Sequence, residues 1–237
     1  MYNPIAITQL LSKAPSFIAR KIDRILKEID PVEREFRRVW PHIDGVEGLL
    51  VSPVQERWLF KAARMLADGS TIVEIGSFKG RSTCSLAYGC RGTNKHVFAI
   101  DSFEGNDKDF KQGESMYGGQ VFNSNFFHIF WQNIEKNGLA RYITPITGMS
   151  SQVAKNWNKR IHLLYIDGSH EYEDVLADFQ NFYPHVVPGG IVAFHDVHTA
   201  LRGPIGFPGV QKVWQDVASV LLSEVDNCAT LAFGRKK

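Results

Sequence analysis

The sequence predicts an α/β fold: a mostly parallel sheet of about six or seven strands, flanked by helices and preceded by a helical appendage. Short apolar runs of strand length alternate with segments of helical periodicity, and this alternation favours parallel strands joined by right-handed crossovers. Several runs end at a glycine turn or at an acidic or imidazole side chain, where such sheets bind ligands. We expect residues 1–50 to form the appendage and residues 51–237 the main domain.

Composition limits the function classes. The chain has 237 residues, of which 44% are hydrophobic, and this is ample for one large domain with an appendage. A net charge of +2 is too small to favour nucleic acid as a partner. No apolar run has transmembrane length, the first residues do not resemble a signal peptide, and the 3 cysteines lack metal spacing. These features predict a cytoplasmic protein without a membrane span.

The appendage is expected to be helical because apolar residues from Phe17 to Ile29 recur at helical spacing, with basic residues largely elsewhere on the wheel. Pro31 and Pro41 punctuate the segment. A basic amphipathic helix packs on its own domain or on a second subunit, or it lies on a membrane surface. We favour packing, which would allow a homo-oligomer through these helices.

A clearer helix is predicted to begin at Ser52, a capping residue that is followed by Pro53 and by Gln55 in a capping box. It is expected to end near Gly69. Its predicted buried face consists of Val54, Trp58, Leu59, Ala62 and Leu66.

The next stretch, residues 73–83, reads V-E-I-G-S-F-K-G-R-S-T. Thr71 to Ile75 have the composition of a buried strand, and Gly76 and Gly80 form a turn before a helix. A strand, a glycine turn and a helix start allow the backbone to approach a nucleotide-like ligand. The spacing is neither a dinucleotide fingerprint nor a phosphate loop, and Glu74 suits a cationic ligand without phosphate. The alternative is an ordinary turn whose glycines only relieve backbone strain.

Residues 97–100 form a second predicted strand, which ends at Asp101. A carboxylate about 20 residues beyond a glycine turn is placed to accept hydrogen bonds from the two hydroxyls of a ribose. The polar, glycine-rich residues 102–120 are either a mobile lid or a simple connection. A helix with Phe122, Phe126, Phe130 and Ile134 on one face is expected next, then a third strand over residues 142–146 and a turn over residues 147–150.

The densest chemical stretch follows a fourth strand at residues 161–166. Asp167 and His170 come directly after it, and a helix with a face from Tyr172 to Phe182 comes next. The turn at residues 188–190 leads into a fifth strand, residues 191–194, which ends at His195 and Asp196. Because the carboxyl ends of parallel strands meet at one edge of a sheet, we expect all of these polar side chains to lie together.

This combination of V-E-I-G-x-x-x-G-x-S-T, I-D-G-x-H, P-G-G and H-D resembles a class I S-adenosylmethionine-dependent methyltransferase, a family with a Rossmann-like sheet. More narrowly, it is similar to the metal-dependent small-molecule O-methyltransferases. The resemblance covers roughly residues 50–237. It implies an enzyme that methylates a small hydroxylated molecule, such as a sugar or a secondary metabolite.

The resemblance also implies a cofactor site for S-adenosylmethionine. Its methionine end would lie against Glu74 and Gly76, with Ser82 helping at the helix start. Asp101 would hold the ribose hydroxyls. Gly148 and Ser150 match the turn near the adenine or the cofactor carboxylate.

The family's metal positions match Asp167, His195 and Asp196, and its general base matches His170. A carboxylate is commoner than a histidine at position 195. Magnesium is the expected ion, although two carboxylates and an imidazole also suit manganese, zinc or iron. The alternatives are a turn or outer-sphere role for His170 and a strand-capping role for the His195–Asp196 pair.

The implied chemistry is in-line transfer of an activated methyl group to a hydroxyl, which a cation acidifies and an imidazole deprotonates. Two alternatives use the same framework: a metal-independent methyltransferase or a hydroxylase-type relative. A third is a non-catalytic cofactor-binding protein. A nucleic-acid methyltransferase is disfavoured because an N/D-P-P-[FYW] run is missing, and an NAD enzyme is disfavoured by the glycine spacing. The sequence carries no code for the acceptor.

Overall fold

A computed structural model describes residues 30–48, 52–105, 126–197 and 207–237. The contacts divide the chain into two compact units, Met1–Pro41 and His42–Lys237. The predicted helix over residues 17–29, most of the predicted loop at 102–120 and the helical position Phe122 lie outside the described residues. The division at residue 50 stays a prediction.

The first described helix, α1 (Pro31–Asp44), begins where Pro31 can occupy the first helical position, and the carboxylate of Asp30 accepts a 2.9 Å hydrogen bond from the Val32 amide. Arg37 and Glu33 form an ion pair one turn apart along it. Pro41 lies inside this helix, near its end.

The sheet has seven strands in the order β3-β2-β1-β4-β5-β7-β6. The five strands β1 to β5 pair in parallel, and β7 pairs antiparallel with both β5 and β6. This architecture confirms the predicted mostly parallel α/β sheet. The strands are β1 (Thr71–Ile75), β2 (His96–Asp101), β3 (Ile143–Thr147), β4 (Ile161–Ile166), β5 (Val186–Phe194), β6 (Leu222–Cys228) and β7 (Leu231–Lys236).

Helices connect these strands, as the parallel pairing requires. After α1 they are α2 (Pro53–Met65), α3 (Arg81–Cys90), α4 (Phe126–Lys136), α5 (Ser150–Ala154), α6 (Tyr172–Phe182), α7 (Pro208–Val213) and α8 (Ser219–Leu221). A π-helical segment, Trp214–Ala218, joins α7 to α8, and short 3₁₀ turns occupy Ala140–Tyr142 and Tyr183–His185.

Two sequence-based expectations about elements are wrong. The fifth strand begins at Val186 rather than Ile191, so the predicted proline–glycine turn is part of β5. The predicted buried face of α2 is confirmed at Leu59 and Ala62 but wrong at Val54, which is 47% exposed, and at Trp58 and Leu66, which are only partly buried. The buried residues of α2 are Gln55, Glu56, Leu59, Phe60, Ala62 and Ala63.

The core lies against the sheet. β1 and β4 are almost entirely buried, as expected for central parallel strands covered on both faces. Phe194 at the end of β5 is fully buried and packs on Phe179 of α6 and on Trp214. Among the described residues, no helix combines the length and the apolar character needed to cross a membrane.

Candidate active site

The carboxyl ends of four neighbouring strands are held in register by hydrogen bonds that continue beyond the strands. The Gly76 amide donates to the Ile100 carbonyl at 2.9 Å, and the Asp167 amide donates to the Ile75 carbonyl at 2.8 Å. The His195 amide donates to the Ile166 carbonyl at 3.0 Å. The ends of β2, β1, β4 and β5 therefore form one continuous edge, which brings the sequence-predicted polar residues together.

Glu74 is completely buried near the end of β1. Its Oε2 accepts a 2.8 Å hydrogen bond from the Ser77 hydroxyl and a second bond from the Thr83 hydroxyl. Burial raises the pKa of Glu74 to about 7, although the hydroxyls of Ser82, Thr83 and Ser77 oppose this shift. Its Oε1 has no hydrogen-bond partner among the described residues. A buried acceptor of this kind calls for a donor from a ligand or from water.

The glycine turn after β1 brings backbone close to two strand ends. Gly76 has φ +88°, and a Cβ atom there would overlap the backbone oxygen of Asp167. Asp101, at the end of β2, accepts hydrogen bonds from the Phe78 amide at 2.8 Å and from the Phe103 amide at 2.6 Å. Burial raises the pKa of Asp101, and these amides oppose the shift. Since a carboxylate has about four acceptor positions, Asp101 retains capacity for further donors.

The remaining predicted cofactor residues have different environments. Ser82 is buried at the start of α3, and its hydroxyl opposes the rise in the pKa of Glu74. Gly148 follows β3, and its amide donates to the Asp101 carbonyl at 2.9 Å. The hydroxyl of Ser150 donates to the buried Asp178, whose pKa is raised to about 6 by burial. Gly148 thus lies beside Asp101, whereas Ser150 is bound to α6.

The three predicted metal ligands converge. Nδ1 of His195 lies 3.1 Å from Oδ1 of Asp167 and 3.0 Å from Oδ2 of Asp196. One potential ligand atom from each residue lies within 4.8 Å of the others. Among the described residues, this is the one group of three or more His, Cys, Asp or Glu side chains with metal-binding spacing.

His170 adjoins this cluster. Its Nε2 is 3.2 Å from Oδ2 of Asp196, the oxygen that also faces His195. Burial raises the pKa of Asp196, but His170 and His195 lower it by more, so this carboxyl stays ionised. Asp196 has φ +58°, a left-handed conformation that turns the chain sharply after β5. His170 is therefore part of the cluster rather than an isolated turn residue.

Sequence reasoning missed two polar residues around the cluster. The hydroxyl of Tyr165, in β4, donates to Oδ2 of Asp167 at 2.8 Å. The Gln55 oxygen accepts from the Ser52 amide at 2.9 Å, which is half of the predicted capping box. The Gln55 nitrogen then donates to Thr230 at 2.9 Å and faces Nε2 of His195 at 3.1 Å. Gln55 carries a sequence signal only for capping, because its partners are 140 and 175 residues away.

The contact with Gln55 bears on which ring nitrogen of His195 carries the proton. The Ser52 amide can only donate, so it fixes the Gln55 oxygen and turns the Gln55 nitrogen towards His195. The contact is a hydrogen bond only if Nε2 carries no proton, which places the proton of a neutral ring on Nδ1. A cation at Nδ1 requires the opposite tautomer.

A family comparison decides what kind of domain this is. The family model Methyltransf_24, described as a methyltransferase domain, matches residues 73–197, more than half of the chain. The chain belongs to this family. Membership in Methyltransf_24 confirms the predicted methyltransferase at the level of the domain, and the match includes the ends of β1, β2, β4 and β5.

Two curated relatives are similar to this chain over part of their own length. An uncharacterized protein, y4gI, of Sinorhizobium fredii is 29% identical over 167 residues, which cover 69% of this chain and 16% of that protein. An uncharacterized protein of Acanthamoeba polyphaga mimivirus is 28% identical over 152 residues, which cover 63% of this chain and 62% of that protein. The chain thus spans less than two thirds of the length of either relative.

Solved structures share the fold. A structure described as a putative O-methyltransferase from Klebsiella pneumoniae has a TM-score of 0.59 at 14% identity, with 92% of this chain and 96% of that chain covered. The O-methyltransferase of Bacillus cereus, in complex with S-adenosylhomocysteine, has a TM-score of 0.56 at 16% identity, with 91% and 97% covered. For TomG of Streptomyces achromogenes, in complex with S-adenosylmethionine, the TM-score is 0.55 at 15% identity, with 88% and 90% covered. These likenesses agree with the seven-stranded α/β architecture.

Proposed function

We propose that this protein is an S-adenosylmethionine-dependent O-methyltransferase that acts on a small hydroxylated molecule with the help of a divalent cation. The observation that carries the proposal is a shared sheet edge. A buried carboxylate with an unused oxygen, Glu74, lies on it together with the cluster of Asp167, His195, Asp196 and His170. Glu74 suits a cationic cofactor, and the cluster suits activation of a substrate hydroxyl.

The cofactor assignment is supported by charge and acceptor capacity. S-adenosylmethionine carries an ammonium group and a sulfonium, and the unused Oε1 of Glu74 offers a buried acceptor for a cationic group. Asp101, at the adjacent strand end, can accept ribose hydroxyls beside the two amides it already binds. The bound cofactors of the Bacillus cereus and Streptomyces achromogenes structures support the same assignment.

The cluster fits a divalent cation. Its donors are two carboxylates and one imidazole, a set that suits magnesium, manganese, zinc or iron. Nδ1 of His195 is buried between one oxygen of Asp167 and one of Asp196, so an ion shared by the three residues would lie among these atoms. Asp167, His195 and Asp196 would hold the ion, which would supply Lewis acidity to a substrate hydroxyl.

The other residues orient and deprotonate. Tyr165 holds Asp167 by a hydrogen bond and thereby fixes one carboxylate of the cluster. His170 is the proposed base, since its imidazole lies next to the cluster and histidine is the side chain that most often serves as a general base. Its Nε2 faces Asp196, which would stabilise the imidazolium that forms. The predicted cytoplasmic location and a homo-oligomer stay predictions.

The test is methyl transfer from isotopically labelled S-adenosylmethionine to a panel of catechols, sugars and phenols. We expect a labelled methyl ether on at least one acceptor, and loss of transfer when EDTA exceeds the metal. At saturating metal, His170→Ala should lower kcat by about 10²–10⁴-fold with unchanged cofactor affinity, the usual effect of removing a positioned base. Full transfer in excess EDTA would reject the cation. Near-normal kcat of the His170 variant would reject the base.

A further inference from the structure

Phe207 lies directly against His170. The two rings stack with their centroids 3.6 Å apart and their planes only 5° from parallel. Phe207 is the capping residue of α7, outside the part of the chain that matches the family model. The stack therefore joins a histidine of the candidate site to an element that the family match does not include.

Two backbone contacts impose this stack. The Phe207 amide donates to the Asp196 carbonyl at 3.2 Å, which ties the start of α7 to the sharp turn after β5. Gly209 then passes so close to the His170 turn that a Cβ atom there would overlap the His170 carbonyl oxygen and lie 2.6 Å from the Tyr172 amide nitrogen. These contacts fix the Phe207 main chain beside the His170 turn, and from there its ring reaches the His170 ring.

The stack restricts a torsion that is otherwise soft. Rotation of a histidine ring about χ2 has a broad energy profile, so the ring needs an external restraint to keep one orientation. Phe207 supplies a flat face that fixes the plane of the His170 ring, and in this plane Nε2 lies 3.2 Å from Oδ2 of Asp196. The His170 side chain is only 15% exposed, so the contact is largely shielded from water.

We propose that Phe207 is a positioning residue: it holds the His170 ring in the plane in which Nε2 fixes the Asp196 carboxylate for cation binding. The inference rests on the proposed function, because it needs the cation site at Asp167, His195 and Asp196. Partners of metal ligands act in this way, and their loss typically lowers metal affinity by about 10–100-fold. The Phe207 ring would act on Asp196 indirectly, through the His170 ring.

The experiment measures Mn²⁺ affinity by calorimetry, which needs no knowledge of the acceptor. Phe207→Leu should weaken Mn²⁺ binding by about tenfold, at the low end of the range for outer partners of metal ligands. Phe207→Tyr keeps the flat ring and should retain wild-type affinity. His170→Ala should weaken binding as well, and the double variant should be no weaker than His170→Ala alone, because the Phe207 ring acts only through His170 and every variant keeps the Phe207 amide that binds the Asp196 carbonyl. If Phe207→Leu does not fold, Phe207→Met takes its place.

Phe233→Leu is the matched control. The Phe233 ring is also partly buried, but it packs on the Trp58 ring of α2, with the centroids 4.4 Å apart, and not on His170. This variant should keep wild-type Mn²⁺ affinity, and all single variants should keep their affinity for S-adenosylhomocysteine. Unchanged Mn²⁺ affinity in Phe207→Leu, additive losses in the double variant, or an equal loss in Phe233→Leu would overturn the inference. Absence of Mn²⁺ binding in the wild type would instead reject the cation in the proposed function, and this inference with it.

Discussion

Glu74 is a carboxyl group held in the interior with only one of its oxygens hydrogen-bonded. Because burial raises its pKa to about 7, its charge changes within the ordinary working range of pH. A cationic ligand favours the ionised form, so ligand binding lowers this pKa and releases a proton. The affinity for a cationic cofactor should therefore rise as pH increases towards about 7 and level off above the pKa of Glu74.

We therefore expect the affinity for S-adenosylmethionine to increase about tenfold between roughly pH 5.5 and 7, a range in which the amino group of the ligand stays protonated. Calorimetry at several pH values measures this directly. Glu74→Gln should bind more weakly and without this dependence. Methylthioadenosine, which lacks the amino-acid end, is the ligand control and should show little dependence. A wild-type affinity that does not change with pH would mean that Glu74 does not face the cofactor.

Individual residues show how far sequence reasoning reaches into the site. Asp167, His195 and Asp196 could be predicted to meet, because parallel strands necessarily place their ends at one edge. Gln55 and Phe207 could not, because each reaches the cluster through tertiary packing of a helix start. Such contacts leave no periodic pattern in the sequence.

Gly76 allows the path of the turn that follows β1. Its φ of +88° is strained for any side chain, and a Cβ atom would also overlap the Asp167 backbone oxygen. Gly69 provides a comparison without the overlap, since its φ is +75° and nothing lies within 4 Å of a Cβ atom there. The two glycines separate backbone strain from steric exclusion.

Gly69→Ala should cost about 1–2 kcal/mol in the free energy of unfolding, which is the strain of a left-handed residue alone. Gly76→Ala should cost clearly more, about 3–5 kcal/mol, because the strand ends must also move apart. Urea unfolding of both variants measures the difference. Equal losses would show that the ends of β1 and β4 can separate without cost, contrary to their close approach.

The helix α2 explains one failure of pattern reading. Hydrophobic periodicity placed Val54 and Trp58 on its buried face, but the structure buries the polar Gln55 and Glu56 instead. Glu56 accepts a 2.6 Å bond from Arg81 of α3, and Gln55 binds Thr230. Charged and amide side chains become buried when distant partners satisfy them, and an amphipathic pattern contains no information about such partners.

At the scale of the whole molecule, the candidate site combines residues 73–197 with residues from both sides of that range. Residues 73–197, which match the methyltransferase family, contain the sequence-predicted polar groups. Gln55 and Phe207, which contact those groups, and Thr230, which binds Gln55, come from outside this range. Parallel pairing of the strands could be expected from the alternation of strands and helices, whereas these outer contacts depend on how the segments on either side of residues 73–197 pack.

Cofactor binding should therefore stabilise the entire fold, because Glu74 and Asp101 lie on adjacent central strands. A ligand that binds only the folded state contributes about 2.7 kcal/mol at 100 times its Kd. For a chain of this size each kcal/mol raises Tm by about 2–4 °C, so saturating S-adenosylhomocysteine should raise Tm by about 5–11 °C. Asp101→Ala, which loses the proposed ribose acceptor, should show a smaller increase at the same ligand concentration, and NAD⁺ should give none. Differential scanning calorimetry measures all three, and an equal increase with NAD⁺ would show that the ends of β1 and β2 bind a dinucleotide instead.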